Sequence, residues 1–310
     1  MKGKNLKEKI ILGTVQLGMN YGFCQNNLYK SKKNIFKILN YAKNNKIKYL
    51  DTAEVYGRAE KNIGEFHSSH KINEQFKIVT KLNNLSKIKK KNLNMKVFDS
   101  IRNSLFYLKK TRIDILLIHN YKDLIKHKVS LIKYLKKLQI IGLINEIGVS
   151  VYSPREAERC MNIKFVKHIQ IPFNLLDQRW LKESFRKKLK FRPDIKIHAR
   201  SIFLQGLLLN KQKNWPKWFK NKNKAVQNID LISRKFKKKN KADLCLSYVK
   251  SFNWIDFIII GINSLKQLKN IIHMNRNKSL NLKQRSFVIS EMRKIANNRI
   301  LLPYKWDHKI

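Results

Sequence analysis

The chain has 310 residues, a hydrophobic fraction of 43% and a formal charge of +48, with 68 Lys and Arg against 20 Asp and Glu. Its apolar runs are short, none near the roughly 20 residues of a membrane span, and Gly13, Thr14 and Gln16 interrupt the N-terminal run before a signal-peptide core can form, so a cytoplasmic protein without membrane insertion is expected. The basic residues follow no single face and no motif interleaved with aromatics, which argues against specific nucleic-acid binding, and the widely separated Cys24, Cys160 and Cys245 suggest neither a disulfide framework nor a metal site.

In chain order, apolar runs of strand length alternate with segments of helical period. The predicted strands are residues 10–15, 49–52, 77–81, 113–119, 146–151, 168–173, 195–201 and 257–262. Several are almost wholly apolar, as strands buried on both faces are. The predicted helices are 34–45, 59–67, 97–109, 129–140, 153–161, 178–189, 242–252 and 265–274. In the third, Ile101, Leu105 and Leu108 make one apolar stripe. The fifth opens Ser153-Pro154-Arg155-Glu156, an N-cap serine with proline at the first helical position and a glutamate three residues on. Strict alternation predicts a parallel sheet, and eight units predict closure into a (β/α)8 TIM barrel.

Two segments exceed a minimal barrel. Residues 210–240 are lysine-rich and carry Trp215, Pro216, Trp218 and Phe219, and a connection of this length after the seventh strand reads as a part-ordered lid. Residues 276–310 read as a C-terminal extension with a helix over 287–296 and an aromatic tail containing Tyr304 and Trp306. No linker divides the chain, so residues 1–310 are expected to form one domain with its barrel core at about 10–275.

Polar residues end several of the predicted strands: Asp51, Lys81, His119, Ser150 and Arg200. In a barrel the C-terminal strand ends form the active face. Singly each has an ordinary reading, His119 as a hydrogen-bonded core residue, Asp51 as an N-cap and Tyr56 as a loop anchor. Their joint placement points to a site.

The run Leu50-Asp51-Thr52-Ala53-Glu54-Val55-Tyr56-Gly57, followed by Glu60 and Gly64, resembles the D-T-A-x-x-Y-G signature of the aldo-keto reductases. Lys81 ends the third strand as the family lysine does, and Asp114 to His119 is similar to the family's D-x-x-x-x-H strand. Gly148-Val149-Ser150 and the pair Gln170 and Asn174 match further elements, so the resemblance runs from Ile11 to about Ile272. It implies reduction of an aldehyde or ketone by hydride from NADPH, with NADH left open.

The chemistry accounts for the residue types. Hydride arriving at a carbonyl carbon leaves negative charge on oxygen, which needs a proton or a stabilising donor. By resemblance Tyr56 is the proton donor, and a nearby ammonium from Lys81 would favour its phenolate. Asp51 would pair with Lys81, and His119 would orient the substrate oxygen.

The resemblance also implies a cofactor site. Ser150 and Gln170 would hold the nicotinamide carboxamide, with Gly13 and Thr14 at the first strand end. The run 199–208, with Arg200, Ser201, Leu204 and Gly206, resembles the loop that wraps the pyrophosphate. Arg200 departs from the pattern, standing where an aromatic ring often stacks on the nicotinamide, although a planar guanidinium can also stack. Gly261, Ser264, Lys266 and Gln267 resemble the adenosine-phosphate turn, where helix amides suit an anion and Lys266 could meet a 2′-phosphate. The bland reading of that turn is a helix capped by Ser264.

The opening 12–22 and the 200–208 run together resemble a bacterial subgroup found with surface-polysaccharide and sugar-nucleotide genes, implying a sugar-derived carbonyl substrate; a monomer or weak homo-oligomer is expected. Two other readings use the same residues. One is a catalytically silent nucleotide-binding barrel serving as a regulatory or scaffolding subunit, against which the intact tetrad counts. The other is binding to polyanions through the positive charge alone, with steep salt dependence.

Overall fold

The computed structural model describes residues 9–22, 31–71, 75–293, 295 and 297–306. Cys24 and Ala296 lie outside the described residues, and Cys160 and Cys245 are free and buried. Eight parallel strands close into a barrel in sequence order, β1 Ile10–Gly13, β2 Tyr49–Asp51, β3 Lys77–Lys81, β4 Ile113–Ile118, β5 Ile144–Ser150, β6 Val166–Pro172, β7 Lys196–Arg200 and β8 Phe257–Gly261, with β8 paired to β1.

The apolar runs are explained by two cores. One phase of each strand faces inward, where Ile11, Val79, Ile115, Leu117 and Ile259 pack together. The other phase, including Ile10, Leu12, Leu50, Ile78, Leu116 and Ile118, packs outward against the helices. Each such side chain contributes roughly 1.5–3 kcal/mol when fully buried, so the alternation in direction rather than in hydrophobicity holds the register.

The helices are α1 Val15–Gly18, α2 Lys32–Asn44, α3 Ala59–His67, α4 Leu93–Leu108, α5 Tyr121–Ile140, α6 Pro154–Cys160, α7 Glu183–Lys190, α8 Lys222–Lys235, α9 Lys241–Lys250, α10 Leu265–Asn275 and α11 Leu282–Arg293. The Ser153 capping box forms as read, its side chain accepting from Glu156 N while Glu156 accepts from Ser153 N. Helix α5 starts well before the predicted 129–140, because Asn120 caps it and the helix continues through a kink at His127. The predicted 178–189 splits into a short 3-10 turn, Gln178–Leu181, and α7.

The long connection after β7 differs from the expected lid. It contains α8, and Trp215, Phe219, Ala225, Ile229 and Ile232 belong to the main core. Trp215 and Phe219 stack with centroids 5.8 Å apart. Burial of these aromatics ties the segment to the flank of the barrel, against α9 and α11. The C-terminal extension packs on it, with Asn221 Nδ2 donating to the Ile295 carbonyl at 3.2 Å. The tail then reaches the catalytic face, where Tyr304 meets Tyr152 edge to face at 5.1 Å.

Candidate active site

Barrel closure brings the strand ends together. Asp51 is in register with Gly13 on one side and Val79 on the other, and Lys81 is in register with Leu117, two positions before His119. Lys81 Nζ lies 2.7 Å from Asp51 Oδ1 and donates to the Thr52 carbonyl at 2.7 Å. It stands 4.9 Å from the Tyr56 ring centroid. The lysine is 2% exposed. Burial works against its charge, but Asp51 and then Tyr56 outweigh this, and the ammonium is held above its ordinary pKa.

The Tyr56 and His119 rings meet edge to face with centroids 6.4 Å apart. Burial, reinforced by the positive charges of Lys81 and Arg200, pushes the His119 imidazole down to about 3. His119 is therefore neutral near pH 7. A neutral imidazole can donate to a carbonyl oxygen without surrendering its proton, as suits an orienting group. The four residues read from the sequence as catalytic thus lie together at the C-terminal ends of the strands.

The residues read as cofactor-binding divide into groups. Gln170 is 1% exposed and its Nε2 donates to Asp51 Oδ2 at 2.7 Å, while its Oε1 is buried without a hydrogen-bond partner. Ser150 is in register with Gln170 at the end of β5. Thr14 is wholly buried, and both its amide and its hydroxyl donate to the Asp51 carbonyl, at 2.9 and 3.0 Å, so it supports Asp51 from behind. Gly13 and Gly261 are opposite one another where β1 meets β8.

After β7 the backbone takes positive φ at Ser201, Leu204, Gln205 and Gly206. A left-handed conformation at three residues other than glycine is costly, and such strain concentrates at ligand-clamping loops. The last group opens α10. Ser264 Oγ accepts from Gln267 N at 3.2 Å and Gln267 Oε1 accepts from Asn263 N at 2.6 Å, so both side chains cap the helix, while Lys266 is exposed. Asn174, part of the sixth-strand match, is used by the loop: its Oδ1 accepts from Leu176 N and Asp177 N.

Several participants were not read from the sequence. Tyr21, whose hydroxyl accepts from Gln205 Nε2 at 2.9 Å, lies within electrostatic reach of Tyr56, Arg200 and Tyr152. Tyr152 sits under the Arg200 guanidinium, with Cζ 4.4 Å from the ring centroid. Below the site, Glu146 Oε2, His168 and His198 form a chain with contacts of 2.9 and 2.8 Å. Each of these three lies two residues before a strand position already noted, Gly148, Gln170 or Arg200, and period-two spacing would have found them. Behind Lys81, buried Glu60 accepts from Thr80 Oγ1 at 2.6 Å and Ser104 Oγ at 3.1 Å.

Among the described residues no cluster of His, Cys, Asp and Glu could hold a metal ion, and no helix is long and apolar enough to cross a membrane. The fold is shared with solved structures. The holo form of aldo-keto reductase AKR11C1 from Bacillus halodurans has a TM-score of 0.67 at 17% identity, covering 93% of this chain and 92% of that one. A crystal structure described as an aldo-keto reductase from Pseudomonas aeruginosa has a TM-score of 0.63 at 17% identity, covering 86% of this chain and 89% of that one. No curated protein matches the sequence. The model of the Aldo/keto reductase family matches residues 9–287, and with the barrel and the convergence of Asp51, Tyr56, Lys81 and His119 on its C-terminal face, the chain belongs to that family.

Proposed function

We propose that the chain is an NADPH-dependent reductase of aldehydes or ketones, with Tyr56 as the proton donor. The family supports an oxidoreductase acting on small-molecule carbonyls. The observation that carries the finer reading is the buried Lys81 ammonium, held between Asp51 and Tyr56. A charge kept in such a place at the cost of desolvation is useful where negative charge develops beside it.

The residues present fit a nicotinamide cofactor. Gln170 Oε1 is a buried acceptor without a partner, suited to a carboxamide N–H, and the strained turn 201–206 and the start of α10 lie at neighbouring strand ends. When bound, the reduced nicotinamide supplies the hydride that reaches the carbonyl carbon. His119 donates to the carbonyl oxygen and orients it. As charge grows on that oxygen, the Tyr56 hydroxyl gives up its proton, and the Lys81 ammonium stabilises the phenolate left behind. Asp51, fixed by Gln170 Nε2 and Thr14, holds Lys81 in place. Exposed Lys266 at the start of α10 favours a 2′-phosphate, hence NADPH over NADH. A sugar-derived carbonyl is the substrate suggested by the sequence resemblance, in a cytoplasmic setting.

The test is titration with NADPH and NADH by protein fluorescence, followed by cofactor oxidation with a panel of aldehydes and sugar carbonyls. Tyr56→Phe is expected to lower turnover by about 10²- to 10⁴-fold with cofactor affinity kept. Full turnover in that variant removes Tyr56 from the mechanism, and binding without turnover of any carbonyl favours the silent-barrel reading.

A further inference from the structure

Arg200 ends β7 and is partly buried. Tyr152 covers one face, 4.4 Å from Cζ, and Nη1 donates weakly to Ser201 Oγ at 3.4 Å. Nη2 is sealed from solvent with no hydrogen-bond partner, and no carboxylate among the described residues pairs with the group. Sheltered charged donors without partners are costly, and at the mouth of a site they mark where a ligand completes them. The Arg200 charge is felt at both His119 and Tyr21, so it lies near the residues at the strand ends.

Two arguments separate this donor from the nicotinamide ring. The vacant donor lies in the guanidinium plane, and the face of an aromatic ring does not satisfy an in-plane N–H as an oxyanion does. A nicotinamide also becomes cationic on losing hydride, so a guanidinium stacked on it opposes the product unless an anion lies nearby. The +48 charge of the chain would draw anions toward this mouth.

We propose that Arg200 binds an oxyanion carried by the substrate, a carboxylate or a phosphate ester, so that the substrate class is a small aldehyde or ketone bearing such a group. This rests on the reductase reading above and departs from the sequence-based assignment of Arg200 to the cofactor. Tyr152 backs the guanidinium and keeps its edge aimed at the ligand. Tyr304 braces Tyr152 from the C-terminal tail.

The experiment compares kcat/KM for matched pairs: succinic semialdehyde against butanal, and glyceraldehyde 3-phosphate against glyceraldehyde. The charged member of at least one pair is expected to be favoured by about tenfold to a hundredfold, mostly through KM. The pair that shows it distinguishes carboxylate from phosphate. In Arg200→Met the charged-to-neutral ratio should fall to about one, with partial rescue in Arg200→Lys. A wild type without preference, or a variant that slows both members in proportion, overturns the proposal. If no carbonyl is turned over at all, the reductase reading has failed. The subsite is then judged by calorimetry with succinate and glycerol 3-phosphate on the NADPH complex, where binding that Arg200→Met weakens at least tenfold supports it and unchanged or absent binding overturns it.

Discussion

Lys81 Nζ lies 2.7 Å from Asp51 Oδ1, and the two side chains are 2% and 6% exposed. Removing one partner of such a pair leaves a buried charge uncompensated, whereas removing both removes the charges and leaves the neutral Gln170 amide and Thr52 carbonyl without their partners. Lys81→Met is therefore expected to cost about 3–5 kcal/mol of stability and to abolish turnover. The double variant Asp51→Leu with Lys81→Met should regain part of that stability but no turnover. Urea unfolding and steady-state rates on the same samples separate the two effects, and recovery of activity in the double variant would contradict the role given to the pair.

Lys266 is exposed at the start of α10, where Ser264 and Gln267 are already committed to capping. Lys266→Met should weaken NADPH by about tenfold, the order of one charge-assisted contact, and leave NADH nearly unaffected. Equal loss for both cofactors would place Lys266 away from the 2′-phosphate.

Neutral His67 locks α3 to its neighbours. Its Nδ1 donates to the Leu108 carbonyl at 3.0 Å while Nε2 accepts from Phe76 N at 3.3 Å, which requires one N–H and one bare nitrogen. Burial pushes the imidazole down to about 4. Above the ordinary value of about 6.5 both folded and unfolded forms are neutral and the contribution is complete. As pH falls below it, only the unfolded chain takes up the proton, and stability drops until the folded value is reached. The loss is about 3 kcal/mol across that window. Denaturation midpoints measured from pH 7 to pH 4 should fall more steeply for the wild type than for His67→Gln, and parallel curves would refute the assignment.

Two glycines separate packing from catalysis. A Cβ on Gly64 would stand 1.7 Å from the Tyr107 carbonyl oxygen, where α3 crosses α4, and one on Gly18 would stand 2.0 Å from the Tyr56 carbonyl oxygen. Each Ala substitution forces backbone to move, at about 1–3 kcal/mol or more. Gly64→Ala should lower the melting temperature with kcat nearly kept. Gly18→Ala displaces the segment that carries Tyr56 and should lower both. A kcat unchanged in Gly18→Ala would show that the Tyr56 segment absorbs the shift.

The barrel and the tetrad were legible because both leave local marks. Strands buried on two faces read as apolar runs, and the signature around Asp51 and Tyr56 is contiguous. The segment after β7 was less legible, because its lysines resemble a solvated loop while Trp215 and Phe219, which decide its packing, are few and widely spaced among them.

The sequence by itself determined eight βα units, the strand ends that carry Asp51, Lys81, His119 and Arg200, and the family resemblance. Those features follow from side-chain polarity over a few consecutive residues. Only the tertiary structure decided that Gln170 grips Asp51 across 119 residues of chain, that Thr14 spends its hydroxyl on the Asp51 carbonyl, and that Arg200 rests on Tyr152 with a donor to spare. These partners are set by the closure of the sheet and its register, which bring distant strand ends within hydrogen-bond reach, and no local pattern encodes which of them meet.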